Sequence, residues 1–159
     1  MTLVMVLEFD EELRGVLHEI LTTADHYAVT ELTTEDAALT YLAATPEGVV
    51  ALCSNTDADH HLSTAFFAAV VADKRLRTRH RYLLLSTNPA GIPTPLRVDL
   101  KRLGAPILPK PFDLDVLLET VAKAARYLAP TGPQWLLVRL EATGEAVRKR
   151  VLNTTARLR

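Results

Sequence analysis

Short runs of apolar residues alternate along the chain with segments in which apolar positions recur every three or four residues. The runs are residues 3–7, 27–32, 49–53, 82–86 and 105–108, each of a length suited to a strand buried on both faces. Leu13, Val16, Leu17, Ile20 and Leu21 mark the first helical segment. Asp10 stands before it as a cap, and Glu11 and Glu12 favour the positive end of its dipole. Further helices are predicted over residues 34–44, 61–73, 96–103 and 114–128, the one at 96–103 being interrupted by prolines.

Strands that alternate with helices run parallel, and their crossovers are right-handed, so this pattern predicts a sheet wrapped by helices on both faces. An open α/β sheet of five strands most simply takes the flavodoxin-like order 2-1-3-4-5, and ligands of such sheets collect at the carboxyl ends of the strands. The residues to inspect are therefore those at positions 8–10, 53–59, 86–88 and 109–112. No Gly-rich phosphate loop follows any of the strands, and no fixed-period repeat is present.

After the last predicted helix, Ala129-Pro130-Thr131-Gly132-Pro133 breaks the pattern. We divide the chain there into a domain over 1–129 and a linker with a basic amphipathic helical tail over 130–159. The tail holds 6 basic and 2 acidic side chains, against 12 basic and 17 acidic before it. Trp135, Leu136, Val138, Leu140, Val147, Val151 and Leu152 give it an incomplete apolar face, which so short a segment cannot bury alone. The face calls for a partner surface, on this chain or on a second copy.

Composition narrows the classes. At 159 residues the chain has the length of one domain, at roughly 100 to 200 residues per domain. With 48% hydrophobic and 23% charged residues it can bury a core and is not a disordered chain. The net charge of -1 supplies no field that would select nucleic acid or an anionic membrane. A single cysteine, Cys53, excludes an internal disulfide and a multi-cysteine zinc site. The opening residues carry no basic leader, and their apolar run stops at Glu8, so a cytoplasmic protein is expected.

The strand ends then carry a resemblance. Gly104-Ala105 followed by Leu108-Pro109-Lys110-Pro111-Phe112, with Leu83-Leu84-Leu85-Ser86 before them, resembles the receiver domains of bacterial two-component response regulators. The similarity covers about residues 3–128. It implies that Lys110 and Ser86 occupy the positions that contact a phosphoryl group, that the Lys110-Pro111 bond is cis, and that Phe112-Asp113-Leu114 opens the last helix. It also implies an acidic pair closing the first strand and a phosphate-accepting aspartate closing the third.

Both acidic features depart from that pattern. The pair aligns with Glu8 and Phe9, which leaves one carboxylate where two would hold a divalent metal. Asp10 is a substitute ligand, since residues 8 and 10 face the same side of an extended strand, but it is also needed as a helix cap. The third strand ends at Cys53, or Ser54 with a one-residue slip, and neither side chain forms an acyl phosphate. Asp57 and Asp59 lie in the following loop as alternative phosphoacceptors. Ile107 stands where receivers place an aromatic ring. The resemblance thus implies an atypical receiver, a pseudo-receiver acting through protein contacts, phosphorylation-independent and not an enzyme. Its pseudo-active site is Glu8, Phe9, Cys53, Ser86 and Lys110. No cofactor is expected, and Mg²⁺ would fall to Glu8 and Asp10. Partners would be a signalling protein or a second copy, met through the face from the fourth to the fifth helix or through residues 134–159.

Three further features were weighed. A thiol at Cys53 beside Lys110 would have its thiolate favoured by the positive charge, as in a redox sensor. His60-His61 after Asp57 and Asp59 offers metal ligands without a recognised spacing. Residues 74–81 hold five permanent positive charges and read as a solvated loop at the amino edge of the sheet, where an acidic partner or RNA would bind.

Overall fold

The computed structural model describes residues 1–25, 27–55 and 64–128. The boundary at 129, the tail, and the group Asp57, Asp59, His60 and His61 lie outside the described residues. The described residues form five strands, β1 (Leu3–Leu7), β2 (Ala28–Leu32), β3 (Val49–Asn55), β4 (Arg81–Ser86) and β5 (Ile107–Pro109). They form one parallel sheet in the order β2-β1-β3-β4-β5, as the alternation predicts. Six helices connect and follow them: α1 (Glu11–Asp25), α2 (Glu35–Ala44), α3 (Thr64–Ala72), α4 (Lys74–Arg79), α5 (Thr94–Leu103) and α6 (Leu114–Arg126).

The three central strands are apolar at nearly every position because each face of the sheet is covered. Met5, Leu7, Val49, Ala51, Cys53, Tyr82 and Leu84 share one cluster with Leu42 of α2, Phe66, Phe67 and Val70 of α3, Leu76 of α4, and Leu96 and Leu100 of α5. Val4, Val6, Val50, Leu52, Leu83 and Leu85 point the other way, onto Leu17 and Leu21 of α1 and Leu117 and Val121 of α6. The period of two along each strand thus divides the core into two layers. Among the described residues no helix is long and apolar enough to cross a membrane.

Local signals set the helix ends. Asp10 Oδ1 accepts a bond of 2.8 Å from the Leu13 N–H, and the Thr34 hydroxyl accepts from Ala37 at 3.2 Å. Asp113 Oδ1 does the same for Val116 at 3.1 Å. At the far end of α5, Gly104 takes φ 62°, the left-handed conformation that closes a helix, and its N–H turns back to the Leu100 and Lys101 carbonyls. The Ala105 N–H also bonds Leu100, so β5 begins at Ile107 rather than at 105.

The basic run differs from the loop expected of it. Asp73 Oδ1 caps a short helix by accepting from the Arg75 and Leu76 N–H groups at 2.8 and 3.3 Å. Leu76 is buried in the core, and its carbonyl accepts a 2.9 Å bond from the Tyr82 hydroxyl. The charges point outward from α4 while one leucine anchors it, a pattern that periodicity does not reveal in six residues.

His80, at the end of the same run, is 1% exposed. Its Nδ1 accepts from the Val49 N–H at 3.1 Å, which leaves Nε2 to donate to the Leu42 carbonyl at 3.0 Å. The neutral ring therefore ties the start of β3 to α2. Burial pulls its pKa below the ordinary value, against the bond to Leu42 and with help from the Arg79 charge. Below about pH 6.5 the unfolded chain takes up a proton that the folded chain resists, so this stability is present above that pH and lost as pH falls. The urea-unfolding free energy should decline between pH 7 and pH 5, and His80→Gln should flatten that decline by up to about 1.4 kcal/mol per pH unit. Parallel slopes for the two proteins would refute the assignment.

Candidate functional site

Four strand ends converge at the carboxyl edge of the sheet. β1 delivers Glu8, β3 delivers Ser54 and Asn55, β4 delivers Ser86, and β5 leads to Lys110. Parallel register sets their depth: Leu7 lies beside Cys53, and Ser86 lies beside Asn55 on one side and Pro109 on the other. The Lys110 N–H continues the ladder with a 2.8 Å bond to the Ser86 carbonyl. The Lys110-Pro111 peptide is cis, as the resemblance implied.

Glu8 is fully buried, and its carboxylate has two partners. Oε1 accepts from the Asp10 N–H at 3.0 Å, and Oε2 lies 3.4 Å from Nζ of Lys110, whose side chain is 9% exposed. The backbone around Glu8 is held as well, because its N–H donates to Leu32 at 3.3 Å and its carbonyl accepts from Arg14 Nη1 at 3.0 Å. A carboxylate placed here without a cation would carry a large desolvation cost, and Lys110 is the residue that offsets it.

The other residues expected at the site divide into those that the structure brings together and those that it does not. Ser86 is at the edge, buried, with its hydroxyl accepting from the Asn88 N–H at 3.2 Å. Phe9 packs against the core layer that holds Met5 and Leu7. Asp10 is exposed, with one carboxylate oxygen committed to capping α1. Cys53 lies two residues short of the end of β3, fully buried in the same layer as Phe66 and Phe67. Burial pushes its thiol pKa far upward, and the Glu35 charge adds to the shift. A thiolate favoured by Lys110 is therefore ruled out, because desolvation dominates a site the solvent does not reach.

Asn55 is the residue that sequence reasoning missed. β3 runs through Ser54 to Asn55, so the side chain in register with Ser86 is an amide. Its Oδ1 and the Ser54 Oγ are buried atoms without a hydrogen-bond partner. Spacing carries no signal for it, because the pairing of Asn55 with Ser86 is a register that only the assembled sheet sets. The polar stretch Ser54-Asn55-Thr56 concealed it by resembling the start of a loop.

These donors do not fit a divalent cation. Magnesium takes near-octahedral oxygen ligation with carboxylates contributing charge. Among the described residues the one buried carboxylate is engaged by an N–H and an ammonium, Asp10 is exposed with one oxygen capping α1, Phe9 supplies no side-chain oxygen, and the Asn55 amide is neutral. Among the described residues no group of three or more His, Cys, Asp and Glu is placed to hold a metal.

Solved structures of receiver domains share this fold. The domain FixJ-N is similar with a TM-score of 0.65 at 18% identity, over 82% of this chain and 98% of its own. The signal receiver domain of a histidine kinase from Syntrophus aciditrophicus gives 0.63 at 18%, over 84% and 96%. The chemotaxis protein CheY4 of Vibrio cholerae gives 0.59 at 20%, over 78% and 98%. At these identities the similarity is one of fold. No family model matches the sequence, and no curated protein matches it either.

The ion pair supports a direct test. Lys110→Ala leaves Glu8 buried without a counter-charge and should cost about 3–5 kcal/mol in urea unfolding. Glu8→Gln combined with Lys110→Met removes both charges and should recover most of that loss. Equal losses for the single and double variants would show that the pair is not coupled.

Proposed function

We propose that the chain is a receiver-like signalling module that works without phosphorylation, through protein contacts. The observation that carries this reading is the amide of Asn55 in register with Ser86. An amide nitrogen is not a nucleophile toward phosphorus, and its neutral oxygen neither forms an acyl phosphate nor attracts the metal that such transfer requires. The pairing of Glu8 with Lys110 supports the same reading, since both groups that would meet an incoming metal and phosphoryl group already neutralise each other.

The chain then acts as a binding module in two-component signalling, with the face formed by α5, β5 and α6 as its contact surface. Val98 on α5, Leu114 and Val116 on α6, and Tyr127 just after α6 are large apolar side chains that remain between 45% and 62% exposed, which is what a contact face requires. A second copy of the chain is the partner we favour, with residues 134–159 as a further contact. Sedimentation should give a concentration-dependent dimer in the micromolar range, weakened by Val116→Glu. A monomer at every concentration would exclude self-association.

Phosphorylation is tested by incubating the protein with acetyl phosphate and Mg²⁺ and recording its intact mass beside a conventional receiver. No gain is expected while the control is modified. A hydroxylamine-labile gain of one phosphoryl group, lost on Asp57→Ala or Asp59→Ala, would overturn the proposal in favour of a phosphoaccepting receiver with Glu8 and Asp10 at the metal.

A further inference from the structure

At the amino end of the sheet, opposite the site just described, the start of β4, the turn between α5 and β5, and the last two turns of α6 enclose a cleft of about 440 Å³. That size lies within the range of about 300–1,000 Å³ that receives small organic ligands. Its walls are mostly apolar: Leu103, Pro106 and Ala124 line it with the buried ring of Tyr82 and the exposed ring of Tyr127. Two cations, Arg81 from β4 and Lys123 from α6, also line it, together with Gly104 and Thr120.

The charge of the cleft is not neutralised locally. Arg81 donates to the Thr78 and His80 carbonyls, which position the guanidinium but leave its charge in place. Lys123 forms no ion pair with any carboxylate among the described residues. The last turns of α5 and α6 also carry Lys101, Arg102 and Arg126, which outnumber Asp99 and Glu119 of the same two helices, while Asp115 lies at the opposite end of α6; neither Asp99 nor Glu119 forms an ion pair among the described residues. Helix orientation therefore gathers positive charge around an apolar cleft. Bases also complement helix dipoles at these ends, but dipole complementation requires neither a cavity nor an exposed aromatic ring beside them.

We infer that this cleft binds an amphiphilic organic anion, with a flat apolar body against Tyr127, Leu103 and Pro106 and its acid group between Lys123 and Arg81. The apolar body supplies burial and the two cations supply orientation, an arrangement in which neither half of the ligand is left unpaired. The site lies at the opposite end of the sheet from Glu8, Asn55 and Lys110.

The test uses the full chain and two fluorescent probes of nearly the same ring system, anilinonaphthalene sulfonate and the neutral N-phenylnaphthylamine. The sulfonate should bind saturably at one site per chain. Lys123→Glu should weaken it by about tenfold or more, an effect reduced at high salt, and should leave the neutral probe nearly unaffected. Tyr127→Ala should weaken both probes. Lys74→Glu makes the same change in net charge at an exposed position outside the cleft and should have little effect on either probe. All three positions are exposed, and unchanged melting temperatures would show that the variants are folded. Failure of the sulfonate to bind saturably, or equal weakening by Lys123→Glu and Lys74→Glu, would overturn the inference.

Discussion

Three adjacent strands that are apolar on both faces cannot meet water on either, and this constraint organises the molecule. It demands helices above and below the sheet, and right-handed crossovers then leave little choice in how the chain is wound. Leu17, Leu21, Leu117 and Val121 close one side, while Phe66, Phe67, Val70 and Leu100 close the other. Only the two edges of the layer at which the strands begin and end escape this coverage. Polar chemistry is therefore confined to those edges, and each acquires its own charge: one ion pair in near-complete burial at the carboxyl end, and unneutralised cations at the amino end.

The carboxyl edge can hold a buried charge because the strand ladder extends past the apolar residues. Lys110 is bonded through its backbone to β4 and through its ammonium to Glu8 at the end of β1, so it links strands that are not neighbours in the sheet. Glu8 in turn holds the N–H of Asp10, which caps α1. Sheet closure, helix initiation and charge compensation thus share a few atoms.

The architecture was legible in the sequence wherever one physical effect dominated. Leu3–Leu7 is an apolar run of strand length and β4 holds another from Tyr82 to Leu85, and α1 follows a capping aspartate with a clear stripe of leucines. The Lys110-Pro111 pair and Ser86 were legible through their resemblance to a known pattern. What escaped depended on three-dimensional register or on a single anchor. Helix α4 carries four basic side chains and one buried leucine, so composition masks it. His80 reads as part of a charged run, yet it bonds two backbone groups 31 and 38 residues away. The end of β3 was placed too early because the alternation of apolar residues stops at Cys53, whereas hydrogen bonding to β4 continues to Asn55.

Asn55 and aspartate have almost the same volume and shape, so the exchange of one for the other alters the site through charge and hydrogen-bond donors and not through packing. With the amide, Glu8 and Lys110 neutralise each other. An aspartate would tip the site negative, with Lys110 shared between two carboxylates and Phe9 offering nothing to either. The pair of Glu8 and Lys110 acts as a keystone for the sheet, holding β1 to β4 across the strand that separates them.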